Sequence, residues 1–129
     1  MTKKAKILLI DDDIDFVDAT KTVLESASYE VIVAHEGNDG LKKSREENPD
    51  LILLDVIMPI KDGFTAAEQL KKDPKLSKIP VLMLTGFSAK SPGSGIPVGR
   101  GYSLEVEDYI EKPATPQQLL TKVKEYLKR

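Results

Sequence analysis

The chain has 129 residues, 40% of them hydrophobic and 31% charged, with 19 basic against 21 acidic side chains and a formal charge of −2. That length supports one domain with a substantial core, and the near-balanced charge argues against a general nucleic-acid binder, which would be clearly basic. The absence of cysteine excludes disulfide and thiolate chemistry and is compatible with the cytoplasm.

The opening Met1–Ile10, MTKKAKILLI, is basic and then apolar. Its apolar run is short, broken by Lys6 and followed by three aspartates, so neither a signal peptide nor a membrane span fits. Ala5–Ile10 reads instead as a first buried strand. Over residues 13–27, Phe16, Ala19, Val23, Leu24 and Ala27 fall on one helical face. Glu30–Ala34 is a second strand. A short helix is expected at about residues 38–47, ended by Asn48-Pro49. Asp50–Leu54 is a third strand, and its LILL is apolar on both faces, as a central parallel strand requires. Gly63 opens a helix with Phe64, Ala67 and Leu70 inward, stopped by Asp73-Pro74. Ile79–Leu84 and Asp108–Glu111 are the fourth and fifth strands. Thr115–Lys128 is the last helix, with Thr115 as N-cap, Pro116 in first position and Gln118 completing a capping box. Its buried stripe is Leu119, Leu120, Val123 and Leu127.

Between the fourth and fifth strands, Gly86–Gly101 holds five glycines and two prolines in sixteen residues. A regular helix is not expected there, and residues 88–104 read as an irregular loop. Strands otherwise alternate with helices. The expected fold is therefore α/β, a single domain over residues 1–129 with a doubly wound, five-stranded parallel sheet. The expected strand order is 2-1-3-4-5, the flavodoxin-like order, with the fourth helix replaced or disrupted by the Gly/Pro/Ser-rich loop.

Chemistry-bearing residues stand where the apolar runs stop: Asp11 and Asp12 in LLIDDD, Asp55 in LILLDVIMP, Thr85 in VLMLTG and Lys112 in DYIEKP. In a parallel sheet such positions gather along one edge, so three carboxylates, a hydroxyl and an ammonium should share a crevice. Three neighbouring carboxylates repel, and one divalent cation plus the Lys112 ammonium would neutralise them. Mg²⁺ takes one or two protein carboxylates and fills the rest of its shell with water and phosphate oxygens. The set suits metal-assisted phosphoryl chemistry on an aspartate. Plainer readings also exist. Aspartates cap helices, and one of the three could do so while another does chemistry. Asp55 could simply end a strand, and Thr85 alone is an ordinary strand residue. Lys112 alone would be a surface lysine, although Pro113 after it would fix its aim. Tyr109 reads as core. The one histidine, His35, follows the second strand and is expected to be structural or solvent-facing, away from the crevice.

With these residues assembled, the chain resembles a response-regulator receiver domain of bacterial two-component signalling over nearly its whole length. The resemblance rests on Asp11 and Asp12, on Asp55-x-x-Met58-Pro59-x-x-Asp62-Gly63, on Thr85 and on Lys112-Pro113, in that order and at strand ends. It implies a phosphorylation-dependent switch, not an enzyme acting on a separate substrate. Asp55 would be the phosphoacceptor, taking a phosphoryl group from a phosphohistidine of a sensor histidine kinase or phosphotransfer protein. Asp12 would bind Mg²⁺ directly and Asp11 mainly through water, with Asp55 and the backbone carbonyl of Ile57 completing the protein's share. Thr85 would hydrogen-bond the phosphoryl group and Lys112 would pair with it. Tyr109 would be the switch aromatic that turns inward as the Thr85 hydroxyl moves. The signal would pass to a downstream protein in the cytoplasm, without direct nucleic-acid contact or membrane insertion. Thr85-Gly86-Phe87 and the loop after it depart from the family's usual fourth helix, so the family's usual partner and dimer mode are not carried over.

Two other functions compete with this one. Asp11-x-Asp13 resembles the nucleophile motif of haloacid-dehalogenase-like phosphatases, with Asp11 as nucleophile, but no acidic pair follows Lys112 and Asp55 would be left without a part. A receiver-shaped scaffold that is never phosphorylated should have lost a site residue, and none is lost.

Overall fold

The computed structural model describes residues 4–55, 63–85, 106–111 and 115–127. Along these the order is β1 (Lys6–Ile10), α1 (Ile14–Ser26), β2 (Glu30–Ala34), α2 (Gly37–Glu47), β3 (Leu51–Asp55), α3 (Gly63–Lys72), β4 (Val81–Thr85), β5 (Asp108–Glu111) and α4 (Pro116–Leu127). All strand pairings are parallel, and the sheet runs β2-β1-β3-β4-β5. This is the expected doubly wound, flavodoxin-like fold. Its irregular-loop element, Gly86–Gly101, lies outside the described residues.

Alternation along the strands sorts the core into two halves. Leu8, Ile10, Ile52, Leu54 and Met83 face α2 and α3, where they meet Leu41, Ala66, Ala67 and Leu70. Ile7, Leu9, Leu51, Leu53 and Leu84 face α1 and α4, where they meet Val17, Leu24, Leu119 and Val123. Every residue of β3 is buried, because this strand has a neighbour on each side and helices on both faces. That burial is the physical reason for its unbroken LILL.

The helix ends follow local chemistry. Asn48 closes α2 in the left-handed region at φ 52° and donates its N–H to the Ser44 carbonyl, a cap conformation that asparagine tolerates. At α4 the capping box forms in both directions: Gln118 N–H donates to Thr115 Oγ1 at 3.1 Å, and Thr115 N–H donates to Gln118 Oε1 at 3.0 Å. The inward face of α1 is rotated from the one expected. Val17, Thr20 and Leu24 are buried, whereas Ala19 and Ala27 are exposed. Alanine hides too little apolar area to orient a helix, and the larger Val17 decides. On α4, Leu119 and Val123 are buried with Tyr126, while Leu120 and Leu127 are half-buried.

Candidate metal and phosphoryl site

Strand register brings the acids together. Ile10 pairs with Leu54 and Asp55 pairs with Leu84, so the residues after Ile10 and Leu54 are neighbours at the carboxyl edge of the sheet. One oxygen from each of Asp11, Asp12 and Asp55 lies within 4.8 Å of the others. Asp11 is fully buried, Asp55 is 6% exposed and Asp12 is exposed.

The three consecutive aspartates take three different parts. Asp11 continues the ladder, donating its N–H to the Ala34 carbonyl at 3.0 Å. Its Oδ1 accepts the Asp13 N–H at 3.0 Å, which turns the chain out of β1. Asp13 is the N-cap of α1, and its Oδ1 accepts the Phe16 N–H at 3.1 Å. Asp12 stands between them and points its carboxylate into the cluster.

Like charges at this spacing are costly. At an effective dielectric of about 20, two unit charges roughly 5 Å apart repel by about 3 kcal/mol. Two of the three carboxylates are also withdrawn from water, which adds a desolvation penalty. An all-oxygen set of this kind fits a hard divalent cation.

The other expected residues divide. Thr85 closes β4 and pairs with Glu111 in the β5 ladder, so its backbone lies at the same edge of the sheet. Lys112 and Ile57 lie outside the described residues, as do Met58, Pro59 and Asp62 of the motif that follows Asp55. Tyr109 stands on β5, half-buried against the α2/α3 side of the core, and burial raises the pKa of its phenol. His35 is nearer the acids than expected: its ring Nδ1 lies 3.2 Å from the Asp11 main-chain oxygen.

Sequence reasoning missed two further networks at the opposite end of the sheet. Lys71 Nζ donates to the Ile79 carbonyl at 3.1 Å and to both Glu107 oxygens at 2.9 and 3.2 Å. Asp108 accepts from Tyr126 Oη at 2.7 Å and from Lys122 Nζ at 2.5 Å. Burial pushes the Asp108 carboxyl up, but these two donors outweigh it and the net pKa is lowered. The same hydrogen bond raises Lys122. The four-residue spacing of Lys122 and Tyr126 was the available signal, since it puts both on one helix face.

A sequence profile of the response regulator receiver domain matches residues 7–124. The alkaline phosphatase synthesis transcriptional regulatory protein PhoP of Bacillus subtilis is 36% identical over 124 residues, spanning 96% of this chain and 49% of that protein. The chain thus covers about half the length of this relative. A CheY-like response regulator receiver domain protein from Methanospirillum hungatei superposes with a TM-score of 0.85 at 31% identity, covering 98% of this chain and 95% of that one. The receiver domain of sensor histidine kinase PA1611 from Pseudomonas aeruginosa shares the fold, with a TM-score of 0.86 at 20% identity and coverage of 98% and 100%. Its crystal structure has a magnesium ion coordinated in the active-site cleft.

Proposed function

The chain belongs to the response-regulator receiver family, and from that premise we propose that Asp55 is its phosphoacceptor and that Asp11, Asp12 and Asp55 hold Mg²⁺. The carrying observation is the cluster itself: three carboxylates within 4.8 Å, two of them buried, at the carboxyl edge of a parallel sheet. The Ile57 carbonyl completes the protein's ligands in this reading. The bound ion offsets the charge of the carboxylates and of the phosphoryl oxygens.

The chain's own residues do the rest. An Asp55 carboxylate oxygen attacks phosphorus, the P–N bond to the donor histidine breaks, and an acyl phosphate forms. Burial of Asp55 at the end of a rigid strand positions the attack, which is the main demand of phosphoryl transfer. Lys112 pairs with the new dianion and Thr85 hydrogen-bonds it. Tyr109, already half inside the core, is the aromatic whose position reports the change. Transfer and slow hydrolysis of the acyl phosphate are catalysed by the domain on itself, so the role is regulatory. The phosphoryl donor is a sensor histidine kinase or a histidine phosphotransfer protein, and the output is a contact with a downstream protein. We place this exchange in the cytoplasm. No helix among the described residues is long and apolar enough to cross a membrane, and the net charge of −2 gives no ground for direct nucleic-acid contact.

The haloacid-dehalogenase-like alternative is not favoured, because Asp13, the second acid of that motif, caps α1 and the receiver profile spans residues 7–124. The scaffold alternative has no support in the acid cluster, which is complete. Incubation with Mg²⁺ and acetyl phosphate tests the reading. One phosphoryl group should be gained by mass spectrometry, mapped to Asp55 and lost in Asp55→Ala. Modification at Asp11, or none in the wild type, would reject it.

A further inference from the structure

His35 touches the acid cluster through the backbone. Its Nδ1 lies 3.2 Å from the Asp11 carbonyl oxygen. A carbonyl only accepts, so in this contact Nδ1 carries the proton and donates it. The preceding residue, Ala34, accepts the Asp11 N–H at 3.0 Å. Two consecutive residues leaving β2 therefore grip both polar groups of the Asp11 backbone.

The carbonyl of Asp11 belongs to the peptide unit that joins Asp11 to Asp12. That unit is planar and moves as a rigid plate. It lies past the end of β1 at Ile10 and before the start of α1 at Ile14. Tilting the plate would swing Asp12 relative to Asp11 and change the distance between their carboxylates. Asp12 is exposed, so little packing aims it, and the backbone beneath it has to.

We propose that His35 is a positioning residue of the metal site. By donating to the Asp11 carbonyl it holds the Asp11–Asp12 peptide at one tilt, and so holds two carboxylates at the spacing a divalent cation needs. The inference rests on the Mg²⁺ reading of the cluster given above. Groups that orient metal ligands without touching the metal commonly govern affinity by a factor of 10 or more.

The test is calorimetric titration of the full chain with Mg²⁺, comparing wild type, His35→Ala and His35→Asn. Asparagine places an N–H donor close to the position of Nδ1. The expected result is roughly tenfold weaker Mg²⁺ binding in His35→Ala and near-wild-type binding in His35→Asn. In the metal-free protein the Asp12 amide resonance should shift in His35→Ala and stay near its wild-type position in His35→Asn. Wild-type affinity in His35→Ala would overturn the proposal. So would equal weakening in both variants, accompanied by equal losses of metal-free melting temperature, because a merely structural histidine predicts that pattern. Failure of the wild type to bind Mg²⁺ would overturn the cluster's assignment and this inference together, before any substitution is compared.

Discussion

The Lys71 ammonium meets the Glu107 carboxylate at 2.9 Å, at the end of the sheet opposite the three aspartates. The lysine side chain is 9% exposed and the glutamate 26%. Glu107 Oε1 also accepts the Val81 N–H at 2.7 Å, and Glu107 N–H donates to the Val81 carbonyl. The pair therefore ties the end of α3 to the first residue of β4 and to the residue that precedes β5. Removing one member of a buried pair costs roughly 3–5 kcal/mol, and the partial exposure of Glu107 lowers the expectation to about 2 kcal/mol. Lys71→Met and Glu107→Gln should each lose about that much stability in urea unfolding. The double variant should lose less than the sum of the two, because it strands no charge. Single losses under about 0.5 kcal/mol would mean the pair is structurally idle.

The three adjoining aspartates should separate by substitution. Asp13→Ala removes the N-cap of α1 and should cost about 1 kcal/mol of stability with little effect on Mg²⁺ affinity. Asp12→Asn should do the reverse: Mg²⁺ binding falls sharply, while metal-free stability holds or rises as repulsion in the cluster is relieved. Thermal unfolding with and without Mg²⁺ reads both effects, since an ion that binds only the folded protein raises its stability by RT ln(1 + [Mg²⁺]/Kd). Equal behaviour of the two variants would contradict the division of roles.

Acid sensitivity should depend partly on Asp108. Its folded pKa is lowered: burial opposes the shift, and hydrogen bonds from Lys122 and Tyr126 overcome it. A lowered carboxyl contributes stability above its unfolded pKa and loses it as pH falls through the folded value. As pH falls through the ordinary carboxylate value of 3.8 and below it, the wild type should therefore lose stability more steeply than Asp108→Asn. Urea midpoints across that range are the measurement, and parallel curves would refute the assignment. Lys122 works at the other limit. Its raised pKa means its contribution is present below the unfolded value and is lost as pH climbs through the folded one.

Gly40 should not accept a side chain. A Cβ there would clash with Ile10 Cδ1 and lie 2.9 Å from Cγ1, and Ile10 is itself 1% exposed, so either its side chain must turn within the core or α2 must move. Overpacking costs about 1–3 kcal/mol, against a helix-propensity gain of about 1 kcal/mol for alanine. Gly40→Ala should be net destabilising, and adding Ile10→Val, which deletes the clashing methyl, should recover part of the loss. A Gly40→Ala protein as stable as wild type would show that α2 can lift away from β1.

Much of this architecture was legible in the sequence because its signals are local. Apolar runs such as LILL mark strands buried on both faces, and the Thr115/Gln118 box marks a helix start whatever packs above it. The acids were legible for a related reason: parallel topology sends every strand end to one edge, so Asp11, Asp12 and Asp55 follow from the order of elements. What failed to show depends on where side chains turn beyond the strand ends and on how helices pack. The expected order already sets β2 beside β1, but not the His35 ring against the Asp11 carbonyl, and Lys71 finds Glu107 only once α3 packs near the starts of β4 and β5. On α1, Ala19 and Ala27 fit the apolar periodicity but bury too little area to set the inward face, which Val17 and Leu24 take instead.

The pairing of Ile10 with Leu54 carries a consequence for how this chain can vary. Side chains along a strand alternate sides, so inserting one residue into β3 would send Asp55 to the opposite face of the sheet while leaving the composition almost untouched. The geometry of the acid cluster is counted out along hydrogen-bonded ladders. A one-residue change of length within β1 or β3 should therefore scatter the three carboxylates, whatever fold the chain then reaches.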